Sequence, residues 1–336
     1  MRSLPFRTLA LLTLNLSSLW LFSSPVSAKS FEVFHPDNSV IKLGRAGVIR
    51  IDTLQVFEFL TGTSDYQIGD VWGKRPVLEA DLQSHDPVFV RSVLATAHFN
   101  TATAFYLGAF GQTHVMATNH HVLSNEFDCL GSLVQFPFLK LKFNCEALIG
   151  SWPDIDLALF TINVTQDNEM KMRGIGRNFD YRSVLYENTP LLTAGFGLAG
   201  NSARRLVVND NADCRVVSKS DDFRLLADPD EINPADYQAW SFATGCSVSH
   251  GDSGSAMVNR KNGAVVGLVW TGAIPKEPRI QNSEYLKMLQ KIDSEEIWTL
   301  LTYAVPAQKI FVKLEAELAE GRIKEPHVAV LREMLK

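Results

Sequence analysis

What the chain lacks narrows it first. Beyond residue 28 no stretch approaches ~18 uninterrupted apolar residues, so nothing there reads as a membrane span. Concentrated positive charge is missing too: the longest basic clusters are pairs such as Arg204-Arg205, and the formal net charge is −5. Phosphate backbones demand a dense basic patch, so nucleic acid is excluded as a partner. Cysteine is scarce, with Cys129, Cys145, Cys214 and Cys246 and no CxxC pair, a spacing that disfavours zinc. No internal repeat or low-complexity segment occurs.

What is present begins with an export signal. Arg2 and Arg7 precede an apolar run, Leu9 to Phe22, and Val26-Ser27-Ala28 places small residues where a signal peptidase reads. An uncleaved N-terminal anchor is the competing reading. Cleavage after Ala28 removes two basic and no acidic residues, taking the net charge from −5 to −7. The expected destination is secreted or periplasmic, with no stable membrane insertion once the signal is gone. An even cysteine count in an exported chain favours two disulfides, and of three connectivities the nearest-neighbour one, 129–145 with 214–246, is preferred.

Residues 29–90 mix short apolar stretches with polar breaks, and fit a propeptide, a packed N-terminal arm or a partly ordered leader. From Val88 short strand-like runs follow one another: Val88 to Val90, Val93 to Ala95, Ala104 to Leu107, His114 to Ala117, Leu133 to Phe138, Lys140 to Phe143, Leu157 to Ile162, Leu191 to Ala194 and Arg215 to Ser218. Such spacing predicts an all-β barrel or sandwich. Ala256 to Asn259 and Ala264 to Trp270 flank Asn262-Gly263, a strong hairpin signal because both residues tolerate positive φ. After Pro306 a helix is expected, with Ile310, Leu314 and Leu318 on its apolar face; Val328 to Leu335 is a second short one beyond Glu325-Pro326.

Three pieces carry chemistry. In Gly251-Asp252-Ser253-Gly254-Ser255 a serine stands between glycines. A serine hydroxyl needs a base, and its attack needs N–H donors for the oxyanion. The tight backbone permits the amides of Gly251 and Ser253 to converge. It is not the nucleophile elbow of α/β-hydrolases, since Ser255 stands where that motif has glycine. Asn119-His120-His121 follows an apolar strand and offers the base. Adjacent histidines in extended chain point to opposite sides, so only one faces the serine and the pair does not chelate one metal. Asp154-Ile155-Asp156 precedes an apolar strand and offers a carboxylate to orient the base. Each piece alone is an ordinary turn or surface segment; the order His, Asp, Ser in a β-rich chain gives the set its weight.

As a set, these motifs resemble those of the trypsin/chymotrypsin-like serine proteases, and in texture their bacterial exported members of glutamyl-endopeptidase type. Ala117 to Val122 is similar to the family's His block, Asp156 to Leu159 to its Asp block and Gly251 to Gly254 to its Ser block. Ala194 to Gly197 is similar to the strand opening the second barrel, and Tyr303 to Pro306 to the last strand. The likeness runs over roughly residues 88–315. It implies two antiparallel six-stranded β-barrels with the active site between them, plus a C-terminal helix. It also implies a triad of His121, Asp156 and Ser253 and an oxyanion hole at Gly251 and Ser253. The expected layout is a signal peptide at 1–28, an extension or propeptide at 29–90, a first barrel at 91–182, and a second barrel with a helical tail at 183–336.

The expected activity is endopeptidase hydrolysis of a peptide or protein substrate through an acyl-enzyme, with no cofactor and no metal. A non-catalytic protease-like binder and a serine esterase are the alternatives. The resemblance places the substrate pocket at Ser247, Val269 and Gly272. Uncharged Ser247 and Val269 there predict an uncharged, apolar residue before the cut. Pro275 to Glu296 reads as an insertion able to reshape that pocket. In zymogen-type relatives a released ammonium pairs with the residue before the nucleophile, here Asp252.

Overall fold

The computed structural model describes residues 32–34, 40–42 and 66–336, apart from 72, 84–85, 198–204, 229–236 and 275. The signal peptide reading lies outside the described residues. The chain divides into two compact units, Met1–Ile51 and Asp52–Lys336. In the first, the described elements are two antiparallel strands, β1 (Glu32–Phe34) and β2 (Val40–Lys42). Everything below concerns the second, in which a short strand β3 (Lys74–Pro76) comes first.

A closed six-stranded barrel follows, as expected: β4 (Thr96–Phe99), β5 (Ala102–Phe110), β6 (Thr113–Thr118), β7 (Leu133–Phe136), β8 (Leu141–Trp152) and β9 (Leu157–Ile162). Pairing of β4 with β7, His98 opposite Gln135 and Phe99 opposite Val134, shuts it. In β8 the alternation Leu141, Phe143, Cys145 inward and Lys142, Asn144, Glu146 outward is the period of a half-buried strand. β9 is apolar on both sides because both sides are covered. Ala158, Phe160 and Ile162 fill the barrel, where Phe160 stacks on Phe99 at 4.7 Å. Leu157 and Leu159 belong to the core shared with the second half.

The second half departs from expectation. β10 (Leu191–Gly195), β11 (Val207–Asn209), β12 (Arg224–Ala227), β13 (Gln238–Thr244), β14 (Ala256–Asn259), β15 (Val265–Gly272) and β16 (Thr302–Pro306) join β3 in an eight-stranded sheet ordered β12-β13-β16-β15-β14-β10-β11-β3. It does not close into a six-stranded barrel. The free edge of β11 is taken by β3, with Asn209 opposite Lys74. Arg215 to Ser218, expected as a strand, contributes only single bridges, Arg215 to Pro190 and Val216 to Thr244. The Cys214–Cys246 disulfide lies on this seam, while Cys129–Cys145 ties the short helix Glu126–Leu130 to β8.

Val88 to Val90 and Val93 to Ala95, read as strands, are one helix, Pro87–Ala95. The Asp86 carboxylate accepts from the amides of Val88 and Phe89, and Pro87 occupies a first-turn position where no amide is missed. Within the expected insertion, residues 276–296 pack on the core. They hold the helix Ser283–Lys291, whose Leu286 and Leu289 are buried with Ile280 in the core. The C-terminal helices Ala307–Ala319 and His327–Met334 match expectation, Ile310 and Leu314 facing inward. No helix among the described residues is long and apolar enough to cross a membrane.

Candidate active site

Antiparallel pairing of β6 with β9 puts Thr118 opposite Ala158. The residues just after β6 and just before β9 therefore emerge at the same barrel end. His121 and Asp156 are those residues. Asp156 caps a short 3₁₀ turn, Pro153–Ile155, with a left-handed backbone (φ 38°), and its carboxylate is wholly buried. Its Oδ2 accepts from His121 Nδ1 at 2.8 Å, and its Oδ1 accepts from the His121 amide at 3.0 Å and from the Tyr237 hydroxyl. Asn119 Nδ2 donates to the Asp156 carbonyl at 2.9 Å. A buried carboxylate so bonded is compensated for its lost hydration and holds the imidazole in one orientation.

His121 keeps 36 % side-chain exposure. Burial opposes its charge, but the Asp156 charge and hydrogen bond outweigh that and raise its pKa above the ordinary histidine value. His120 turns the other way. Ser151 Oγ donates to the Leu123 carbonyl and so accepts from His120 Nδ1, at 2.8 Å. Burial pushes the His120 pKa down. The two histidines are thus separated, but by a turn and not by the extended chain expected: the Val122 and Leu123 amides both donate to the Asn119 carbonyl.

The serine segment, 247–255, is fastened to the first barrel through Thr103. Thr103 donates its amide to the Ser253 carbonyl at 3.0 Å and its hydroxyl to the Gly251 carbonyl at 2.7 Å. That hydroxyl also accepts from the Phe196 amide, and the Thr103 carbonyl accepts from Thr118 Oγ1. Gly254 has φ +85°, and a side chain there would begin 2.0 Å from the Thr103 carbonyl oxygen, so only glycine fits. Three residues before Ser253, His250 is near enough to His121 to lower its basicity electrostatically. No hydrogen bond joins Ser253 Oγ to His121 among the described residues; such bonds commonly tighten only once substrate is bound.

The amides of Asp252, Gly254 and Ser255 bond to Ser249, Val269 and Asp252 carbonyls. Those of Gly251 and Ser253 donate to no described residue. The Asp252 carboxylate turns inward, Oδ1 accepting from the Gly197 amide and Oδ2 from the Ser249 amide, each at 2.9 Å. A side chain at Gly197 would begin 2.2 Å from Asp252 Oδ2, which accounts for glycine in the Ala194 to Gly197 motif.

The three expected pocket residues fare differently. Ser247 is fully buried, and its hydroxyl accepts from the Ile68 amide at 3.0 Å. Val269 is buried, with both backbone groups bonded to Ser255 and Gly254. Gly272 ends β15, and Lys276 Nζ lies 2.9 Å from where its side chain would begin, donating to the Leu301 carbonyl. A buried cation beside this wall was not anticipated. Thr103, Tyr237 and Lys276 all escaped the sequence reading, because nothing in their neighbouring residues marks them.

No protein-family model and no curated protein matches the chain. Solved structures do. The inactive form of the Rv3671c protease is 13 % identical, with a TM-score of 0.45 over 72 % of this chain and 96 % of that one. Its active form, from M. tuberculosis, is 14 % identical, with a TM-score of 0.44 over 75 % and 89 %. AlgW, an HtrA-type protease with tripeptide, is 14 % identical, with a TM-score of 0.42 over 71 % and 65 %. These neighbours are described as proteases. At such identities and scores the likeness carries no argument about this chain's activity, and none of the three supports the glutamyl-endopeptidase branch.

Proposed function

We propose that the chain is an exported serine endopeptidase in which Ser253 is the nucleophile, His121 the base and Asp156 the group that orients it. One observation carries the reading: a histidine locked to a buried carboxylate stands at the barrel end to which a glycine-flanked serine is tied, with two unbonded amides beside that serine. Ser253 Oγ attacks the scissile carbonyl while His121 Nε2 takes its proton, leaving a tetrahedral oxyanion that the Gly251 and Ser253 amides receive. The imidazolium then returns the proton to the leaving amine, and water repeats the cycle on the acyl-enzyme. Asp156 and Tyr237 stay in place throughout, stabilising the charge that forms on His121.

The halves 91–182 and 183–336 would each supply part of this cleft. Two disulfides fit an oxidising, exported setting. A fluorophosphonate probe should label wild type at Ser253 and leave Ser253→Ala unlabelled, and labelled wild type should cut a peptide library. No labelling would mean a protease-like binder; turnover of esters but of no peptide would mean an esterase.

A further inference from the structure

The most deeply sunk cation at the serine segment comes from far away in sequence. Lys74 opens β3 and is set by pairing with Asn209; its side chain is 1 % exposed. Its Nζ donates to Asp252 Oδ2 at 2.5 Å and to Ser249 Oγ at 2.6 Å, and it lies 4.9 Å from the centre of the Tyr66 ring. An ammonium and a carboxylate leave water at a cost that only close pairing and further hydrogen bonds offset. Both partners have them here: ring and hydroxyl for the ammonium, the Gly197 and Ser249 amides for the carboxylate. Around Lys74 the arm is firmly seated. Tyr66 and Ile68 are buried, and the Gly69 amide donates to the Ile280 carbonyl at 2.8 Å.

Asp252 stands between the two residues whose amides are unbonded. Its backbone is closed on both sides, amide to Ser249 and carbonyl to Ser255. The inward pull on its side chain seats this bonded backbone and so, together with the Thr103 bonds to the Gly251 and Ser253 carbonyls, sets how the Gly251 and Ser253 amides point. We propose that Lys74 is a positioning residue for those amides, so that the segment 66–83 is a permanent part of the catalytic unit and no chain cut is needed to supply an ammonium. The inference rests on the serine-endopeptidase reading above. Without the ammonium, Asp252 is left as a buried carboxylate facing two amide donors; it turns toward water and carries a neighbouring peptide group with it.

The test uses the full chain with Lys74→Met, which keeps length and removes charge. Losing one oxyanion donor costs about 10²–10³ in kcat, so a fall of at least about a hundredfold is expected, with KM changed less than about threefold. Labelling of Ser253 should slow in parallel. The double variant Lys74→Met/Asp252→Asn removes the orphaned charge and should recover the lost thermal stability without the lost rate, since the Gly197 and Ser249 amides bond to different carboxylate oxygens and asparagine replaces one of them with a donor. Unchanged kcat in the single variant, or recovery of rate together with stability in the double, overturns the proposal. If Lys74→Met does not fold, peptide mapping of labelled wild type decides. Labelled molecules should keep 66–90 joined to the barrel, and labelling confined to cut molecules overturns the proposal. Wild type inert to the probe is a different result, and it overturns the endopeptidase reading itself.

Discussion

The two halves solve the same problem of sheet edges in different ways. The first barrel pairs β4 with β7 and leaves no edge. The second leaves β12 at one side and takes β3, from a segment more than a hundred residues upstream of most of its strands, at the other. A closed barrel holds His121 and Asp156 with its own ladder; an open sheet holds Ser253 only with help from outside itself. His121 and Asp156 are thus joined within one barrel, with Tyr237 of the second half adding a bond to the carboxylate, whereas the setting of Ser253 is assembled from Lys74, Thr103 and Gly197. An exposed strand edge is a pairing template, and here the arm occupies it.

The comparison breaks most sharply at the nucleophile. Ser253→Ala should lower peptide turnover by about 10⁶-fold, the loss seen when a comparable triad serine is removed. Thermal melting should hardly move, because that hydroxyl bonds to no described residue. A large drop in melting temperature would show that the open half depends on the side chain itself. On the closed side, Asp156→Asn should cost about 10⁴ in kcat through the wrong tautomer. It should also move the pH profile. Wild type needs neutral His121, whose pKa is raised, so kcat/KM should fall with acidity through a pKa above the ordinary 6.5. In the variant that acid limb shifts to lower pH; an unmoved limb would mean that another group titrates.

Tyr237→Phe removes a hydroxyl donor to Asp156 and should cost about tenfold in kcat, the loss of one hydrogen bond to a charged group. The disulfides sharpen the contrast further. Their sequence separations are 16 and 32, and a doubled loop adds only about 0.6 kcal/mol in the chain-entropy view. Replacing each pair by alanines should therefore destabilise both variants by similar amounts, measured in urea. Rate should suffer more for Cys214/Cys246, which bridges the unclosed seam. Equal effects on rate would remove the distinction between the halves. His120→Ala should be the mildest, within about threefold in kcat.

Legibility follows the same division. The His, Asp and Ser blocks could be read because each is contiguous, and β8 and the hairpin around Asn262-Gly263 because their patterns are local. The helix Pro87–Ala95 was misread because its β-branched apolar runs outweighed the Asp86-Pro87 start signal, which was present. β3 was illegible for a firmer reason. Lys-Arg-Pro has no strand pattern, and an ion pair spanning 178 positions leaves no trace in either neighbourhood. The expected closure of the second barrel failed at Arg215 to Ser218, where composition favoured a strand but the structure forms only isolated bridges to Pro190 and Thr244.

Gly254 has a consequence for mutational tolerance. It contacts no substrate in the proposed reaction and carries no chemistry, yet its place against the Thr103 carbonyl leaves no volume for a single carbon. In a saturation library scored for activity, this position should accept fewer replacements than any pocket residue, with even alanine depleted. The lines of descent open to the chain are thereby narrowed at a residue that an inventory of chemical groups would pass over.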